Sequence, residues 1–202
     1  RCLAVFTKMW NERVNEPPRT DLISMMAHSP DTRDMTPGDF LSNLILLIVG
    51  GNDTTRNSIS GGLLALHQNP AQYDKLRANP GLIKTLVPEI IRWQTPLAHM
   101  ARTATQDIEF EGQTIRAGDR VALWYLSANR DESMIERANE FLIDRAKPRQ
   151  HLSFGFGLHH CVGSRLAEAQ LRILWEELLV THPRIRVVGE PERVLSNFVH
   201  GY

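Results

Sequence analysis

Apolar positions recur at helical spacing along most of the chain and fall into strand-like alternation only over a short stretch past its middle. Leu3, Phe6, Trp10 and Val14 mark the end of an amphipathic helix over 1–16, stopped by Pro17-Pro18. A short helix is predicted over 21–28. Thr36, Pro37 and Asp39 form a capping-box start, and nothing breaks the pattern until Asn69-Pro70, which predicts a helix of about 31 residues. Asn79-Pro80 opens another helix reaching Trp93, with Pro88 kinking it and Thr95-Pro96 ending it. Strands are then predicted over 108–110, 113–115 and 121–126, joined by turns at Glu111-Gly112 and Ala117-Gly118-Asp119 into one antiparallel meander. Residues 127–150 read as polar and irregular. A last helix over 162–181 carries the stripe Ala167, Leu171, Leu174 and Leu178, and 185–188 and 194–199 read as terminal strands. The expected fold is mainly α with a minor antiparallel β-sheet, in a single unit over 1–202.

Composition narrows the classes of function. With 42% hydrophobic residues in 202, the chain has enough apolar material for a core. Lys+Arg and Asp+Glu are both 23, which argues against a nucleic-acid binder or an electrostatic membrane anchor. Of the cations 19 are Arg, a bias toward forked donors that grip carboxylates bidentately. The longest apolar run, 44–49, is six residues, far short of the ~20 needed to span a bilayer. Cys2 and Cys161 give no disulfide framework, so a reducing, cytoplasmic compartment is expected. The chain opens at Arg1-Cys2-Leu3 with neither Met nor leader, and the expectation is a piece of something longer.

The segment richest in chemistry is Phe154-Gly155-Phe156-Gly157-Leu158-His159-His160-Cys161-Val162-Gly163, which delivers a lone Cys just ahead of a long helix. A thiol there meets the positive end of the helix dipole, which favours thiolate, and the glycines let a loop curl around a bulky flat object. One-point thiolate ligation is what haem iron accepts. Three other readings stay open on the residues alone. Cys161 suits a small buried hydrophobe beside a glycine turn, or a Cys-His nucleophile. A zinc site from His151, His159, His160 and Cys161 is awkward, because consecutive ligands point in different directions.

These ten residues resemble the haem-binding signature of the cytochrome P450 family, and the family's other elements follow in order. Gly50-Gly51-Asn52-Asp53-Thr54-Thr55, which reads as an interruption of the long helix, resembles the oxygen-activation groove. Glu89-Ile90-Ile91-Arg92 resembles the Glu-x-x-Arg pair, and Asn129-Arg130-Asp131, Phe141 and Asp144-Arg145 fit the stretch before the cysteine loop. The resemblance implies the C-terminal half of the P450 fold, with haem b as cofactor and Cys161 as the iron's axial ligand. It implies that Arg102 and His159 reach the propionates, that Phe154, Gly155, Gly163, Gly50 and Gly51 surround the macrocycle, and that Asp53 and Thr54 relay protons. Glu89 and Arg92 would be structural, and Leu97 and Ala98 would line the substrate pocket. The implied activity is insertion of one atom of O2 into a C–H bond of an apolar small molecule, with electrons from a ferredoxin and its reductase. The segments 48–58 and 92–100 are most similar to the bacterial branch that hydroxylates medium-chain alkanes and fatty acids at the terminal carbon. Bacterial members acting on terpenes, steroids or polyketides, and a haem protein without oxygenase activity, are the alternatives.

Overall fold

In the structure, a computed structural model, residues 2–202 are described. Arg1 and the Cys2 side chain lie outside the described residues, and with them the reading of Cys2 as unpaired. The helices are α1 (Cys2–Val14), α2 (Leu22–His28), α3 (Pro37–Gln68), α4 (Pro70–Ala78), α5 (Ile83–Gln94), α6 (Tyr125–Ala128) and α7 (Ser164–Thr181). The strands, all between α5 and α6, are β1 (His99–Thr103), β2 (Ile108–Phe110), β3 (Gln113–Ile115) and β4 (Arg120–Trp124). The mainly α architecture with a minor antiparallel component is the one expected. Two compact units follow one another along the chain, Arg1–Val49 and Gly50–Tyr202.

In the first unit α2 starts where Asp21 accepts from the Ser24 amide at 2.8 Å, satisfying one of the free N–H groups of a helix start. Arg13 Nε donates to the other oxygen of Asp21 at 3.0 Å. Ile23, Phe40 and Leu44 form the buried centre, with Phe6, Met9 and Trp10 packed against it. Trp10 and Phe40 meet at 4.6 Å between ring centroids. Thr36 and Asp39 cap α3 as expected, the Asp39 amide donating to Thr36 Oγ1 at 3.2 Å. The helix then runs 32 residues, about 48 Å.

The second unit is built on α5, whose residues are buried along nearly the whole helix, Glu89 and Arg92 included. Leu66, Leu76, Leu86, Ile90, Ile143, Leu171 and Trp175 form its core. Gly61 and Gly62 let α3 approach α5 closely: a Cβ at Gly61 would lie 2.1 Å from Gln94 Oε1, and one at Gly62 2.7 Å from Ile90 Cδ1. The carboxy-terminal segment is seated as tightly. A Cβ at Gly201 would lie 2.3 Å from the side-chain amide of Asn57, a buried α3 residue whose Oδ1 has no hydrogen-bond partner among the described residues.

Several elements depart from the sequence reading. Asn69-Pro70 ends α3 but also starts α4, because Pro70 takes the first helical position, where no N–H is needed. The helix from Asn79-Pro80 begins as a 3-10 turn, Pro80–Leu82, before α5 proper. The meander is instead two sheets: β2 pairs with β3 across the Glu111-Gly112 turn, while β4 pairs with β1, a strand that the alternation did not reveal. Gly118 at φ +92 turns the chain back, and its amide donates to Ala104 O at 2.8 Å, which brings β4 beside β1. β4 also stops at Trp124, where the chain turns into α6. The last helix starts at Ser164, because Cys161 to Gly163 form a turn closed by the Ser164 amide on Cys161 O at 3.3 Å. The segments 185–188 and 194–199 form no strands. The tail makes a single bridge, Leu97 to Val199, among the described residues: the Phe198 and Val199 amides donate to Ser196 Oγ, both at 3.1 Å, and Ala98 O takes the Leu126 amide, so the ladder goes no further.

Replacing Gly61 with Ala should lower stability by about 1–3 kcal/mol despite the better helix propensity of Ala. The new methyl displaces Gln94, whose Nε2 donates to His200 O at 3.1 Å. Urea denaturation of parent and variant measures it.

Candidate functional site

The cysteine loop is a backbone cradle. Gly155 and Gly157 both lie in the left-handed region, at φ +72 and +66. The Gly155 amide donates to Leu152 O at 2.8 Å, and the Cys161 amide donates across the loop to Phe154 O at 2.8 Å. A side chain at Gly155 would meet His159 O at 3.2 Å. The Cys161 thiol is exposed. Phe156, Leu158 and Val162 around it are 84, 103 and 91% exposed, an apolar face presented by the same loop. The Phe154 ring packs toward the core, tilted against His151 at 5.7 Å and His160 at 6.0 Å, rather than lying free beside the sulfur. His159 sits exposed in a short 3-10 turn with no hydrogen-bond partner among the described residues.

Behind the loop lies a closed ionic cage. Glu89, fully buried, accepts from Arg92 Nε and Nη2, both at 2.8 Å, from Arg145 Nε at 2.9 Å and from the Leu142 amide at 2.8 Å. Arg92, equally buried, gives its remaining donors to the carbonyls of Asn129, Ala138 and Glu140. Arg130 stacks on Trp93 at 3.7 Å, and burial, reinforced by Arg92, lowers its guanidinium to about 10.

The remaining residues singled out by the sequence lie elsewhere in the second unit. Gly50, Gly51, Asp53 and Thr54 fall on α3, which they do not interrupt. Thr54 Oγ1 donates to Gly50 O at 2.7 Å, sharing that carbonyl within the continuous helix. Asp53 pairs with Arg56 at 3.0 Å. Neither hydrogen-bonds to the cysteine loop among the described residues. Arg102 sits on β1 opposite Val121 and donates only to its neighbour's carbonyl, Ala101 O, at 2.9 Å. Ala98 is buried, its amide on Phe198 O and its carbonyl on the Leu126 amide, while Leu97 is half-buried at the bridge to Val199.

A model of the family described as Cytochrome P450 matches residues 81–182, slightly more than half of the chain. The chain belongs to the cytochrome P450 family. Its P450 relatives include linalool 8-monooxygenase of Pseudomonas putida, 45% identical over 91% of this chain and 45% of that protein. A methyl-branched lipid omega-hydroxylase of Mycobacterium bovis is 43% identical over 95% and 45%. The solved structure of cytochrome P450-153 from Novosphingobium aromaticivorans superposes with a TM-score of 0.93 at 52% identity, covering 99% of this chain and 50% of that one. The chain thus spans about half the length of the relatives it matches.

Members of the P450 family bind haem b, and the residues present suit it. An exposed thiol on a glycine cradle, an apolar rim and basic side chains at His159 and Arg102 without an acidic partner among the described residues match a flat apolar macrocycle bearing carboxylates. The zinc alternative has no counterpart: among the described residues no three His, Cys, Asp or Glu side chains converge. Sequence reasoning weighed His151 only as a zinc ligand and passed over its burial, though it precedes the apolar run of the loop. Both its ring nitrogens are buried without a partner. Burial first, then Arg92, Arg149 and His160, lower it to about 4 against the opposing pull of Glu168.

Two outcomes follow. Arg92→Lys keeps one charge but loses the fork on Glu89 and three carbonyl bonds, and should cost about 3–5 kcal/mol, read by denaturant melts of the full-length protein. His151 stays neutral in the folded state while the unfolded chain takes up a proton below the usual imidazole value. Stability should therefore fall as pH drops from the usual imidazole value of 6.5 to about 4, by roughly 3 kcal/mol in all, and level off below. His151→Phe should flatten that limb in melting curves recorded against pH.

Proposed function

We propose that the full-length protein is a haem-thiolate monooxygenase that hydroxylates the terminal carbon of medium-chain alkanes or fatty acids, residues 1–202 forming its C-terminal haem-binding half. The observation that carries this reading is Cys161, exposed on the glycine cradle with its amide committed to Phe154 O, inside the stretch matched by the family model. Haem b supplies the activation of O2.

This chain's residues bind, orient and move protons around that group. Cys161 Sγ would hold the iron, His159 and Arg102 would hold the propionates, Gly155, Gly163, Gly50 and Gly51 would leave the macrocycle room, and Phe154 would back the loop beneath it. Thr54 Oγ1, its hydrogen directed at Gly50 O, presents its lone pairs outward to receive a proton. Asp53 is held by Arg56, and opening that exposed pair frees a carboxylate to collect protons from solvent and pass them to Thr54. Leu97 and Ala98 shape the approach of the substrate. Electrons come from a ferredoxin and its reductase in the cytoplasm. A groove lined by Lys84, Arg149, Arg165 and Arg172 against the single carboxylate Glu168 supports an acidic electron donor. Among the described residues no helix is long and apolar enough to cross a membrane.

The omega-hydroxylase relative favours terminal attack on a linear chain, whereas the linalool 8-monooxygenase relative favours a terpene. Turnover of octane and linalool by the full-length enzyme separates them. Terminal alcohol from octane is the expected product, and internal alcohols alone, or linalool turnover without octane turnover, excludes the alkane reading. Oxygen uptake with no product from any apolar substrate removes the monooxygenase. Thr54→Ala should keep haem and divert reducing equivalents to hydrogen peroxide, and Cys161→Ser should abolish the strongly red-shifted Soret band of the reduced carbon monoxide complex.

A further inference from the structure

Asn129 lies at the end of α6, fully buried, and every polar group it owns is engaged. Its amide donates to Tyr125 O at 2.9 Å and its carbonyl accepts from Arg92 Nη1 at 2.8 Å. Its side chain reaches two other segments. Oδ1 accepts from the Leu152 amide at 2.7 Å, and Nδ2 donates both to Ser153 Oγ and to Thr95 Oγ1, each at 2.9 Å.

The two hydroxyls leave no freedom in that pattern. Ser153 Oγ donates to Ile91 O at 2.8 Å, and Thr95 Oγ1 donates to Arg92 O at 2.6 Å. Each hydroxyl has one hydrogen, already given to a carbonyl in the last turn of α5, so each can only accept from Asn129. Both hydrogens of one amide nitrogen are therefore required, and no other side chain of this size offers two donors and an acceptor in one plane. Next along the chain stands Phe154, whose carbonyl receives the Cys161 amide at 2.8 Å. The path runs from the Glu89–Arg92 cage through Asn129 to Leu152 and Ser153, then to Phe154 O and Cys161.

We infer that Asn129, with Ser153 and Thr95, is the positioning residue that sets the backbone from which the Cys161 sulfur reaches the iron. A fully satisfied buried network holds one geometry, and loss of one member loosens what it supports. The inference rests on the thiolate-haem reading of Cys161.

The test uses the full-length haem-loaded enzyme and the reduced carbon monoxide spectrum, with haem transfer to a scavenging apoprotein as second readout. Asn129→Asp keeps shape and acceptor but replaces the double donor with an oxygen facing two hydroxyl oxygens. The red-shifted band should give way in large part to the band of haem without a thiolate ligand, and haem transfer should speed up roughly 10-fold. Ser153→Ala and Thr95→Val should each do so in part, while Ser153→Thr and Thr95→Ser, which keep the hydroxyl, should restore the parental spectrum. That rescue separates the role from one of packing alone. Should Asn129→Asp fail to take up haem, the Ser153 and Thr95 pairs decide. Parental spectra and transfer rates in Asn129→Asp, or in both Ser153→Ala and Thr95→Val, overturn the inference. A parent enzyme without the red-shifted band overturns the thiolate-haem reading and this inference with it.

Discussion

A carboxylate with no water around it organises the second unit. Glu89 has four donors on its two oxygens, and they come from three places in the sequence: its own helix, the Leu142 amide and Arg145. An ionised group buried this completely costs several kcal/mol unless every lone pair is met, so the irregular 129–145 segment has little freedom in where it lies. Arg92 repeats the demand from the opposite sign, fixing three carbonyls of the same segment. A stretch with scarcely any regular secondary structure is thereby given one conformation. Apolar packing supplies much of the stability of α5 and α7, but the direction of the loop that follows is set by charge.

Much of this was legible in the residues and some was not. The cap at Thr36, the glycine turn at Glu111-Gly112 and the cysteine cradle are local, because their chemistry acts within a few positions. The pairing of β1 with β4 was hidden, since His99 to Thr103 lacks alternation and its partners are 17 to 25 positions away. Pro70, read as a stop, is also a start, and Ser196 Oγ, by taking the Phe198 and Val199 amides, denies the tail the strand that 194–199 otherwise suggests. The site was read piece by piece through the family resemblance. The residues tying those pieces together, Asn129, Ser153 and Thr95, carry no signal in spacing, because each contributes one bond to a network defined only in three dimensions.

The division of labour between the elements is chemical. The cysteine loop supplies softness, a thiol on glycine with an apolar rim, where the cage behind it supplies hardness, charge locked against charge. α3 contributes exposed polar groups, Thr54 bonded to Gly50 O and Asp53 to Arg56.

The contact of Gly201 with Asn57 limits which sequences this fold can carry. Any side chain at 201 meets the Asn57 amide at 2.3 Å, and Asn57 is itself buried with an unmet oxygen. The two positions, 144 apart in sequence, share one small volume. Glycine has no side chain to give up, so a larger residue at 201 is admitted only where 57 becomes smaller, and the helix sets what the tail can carry.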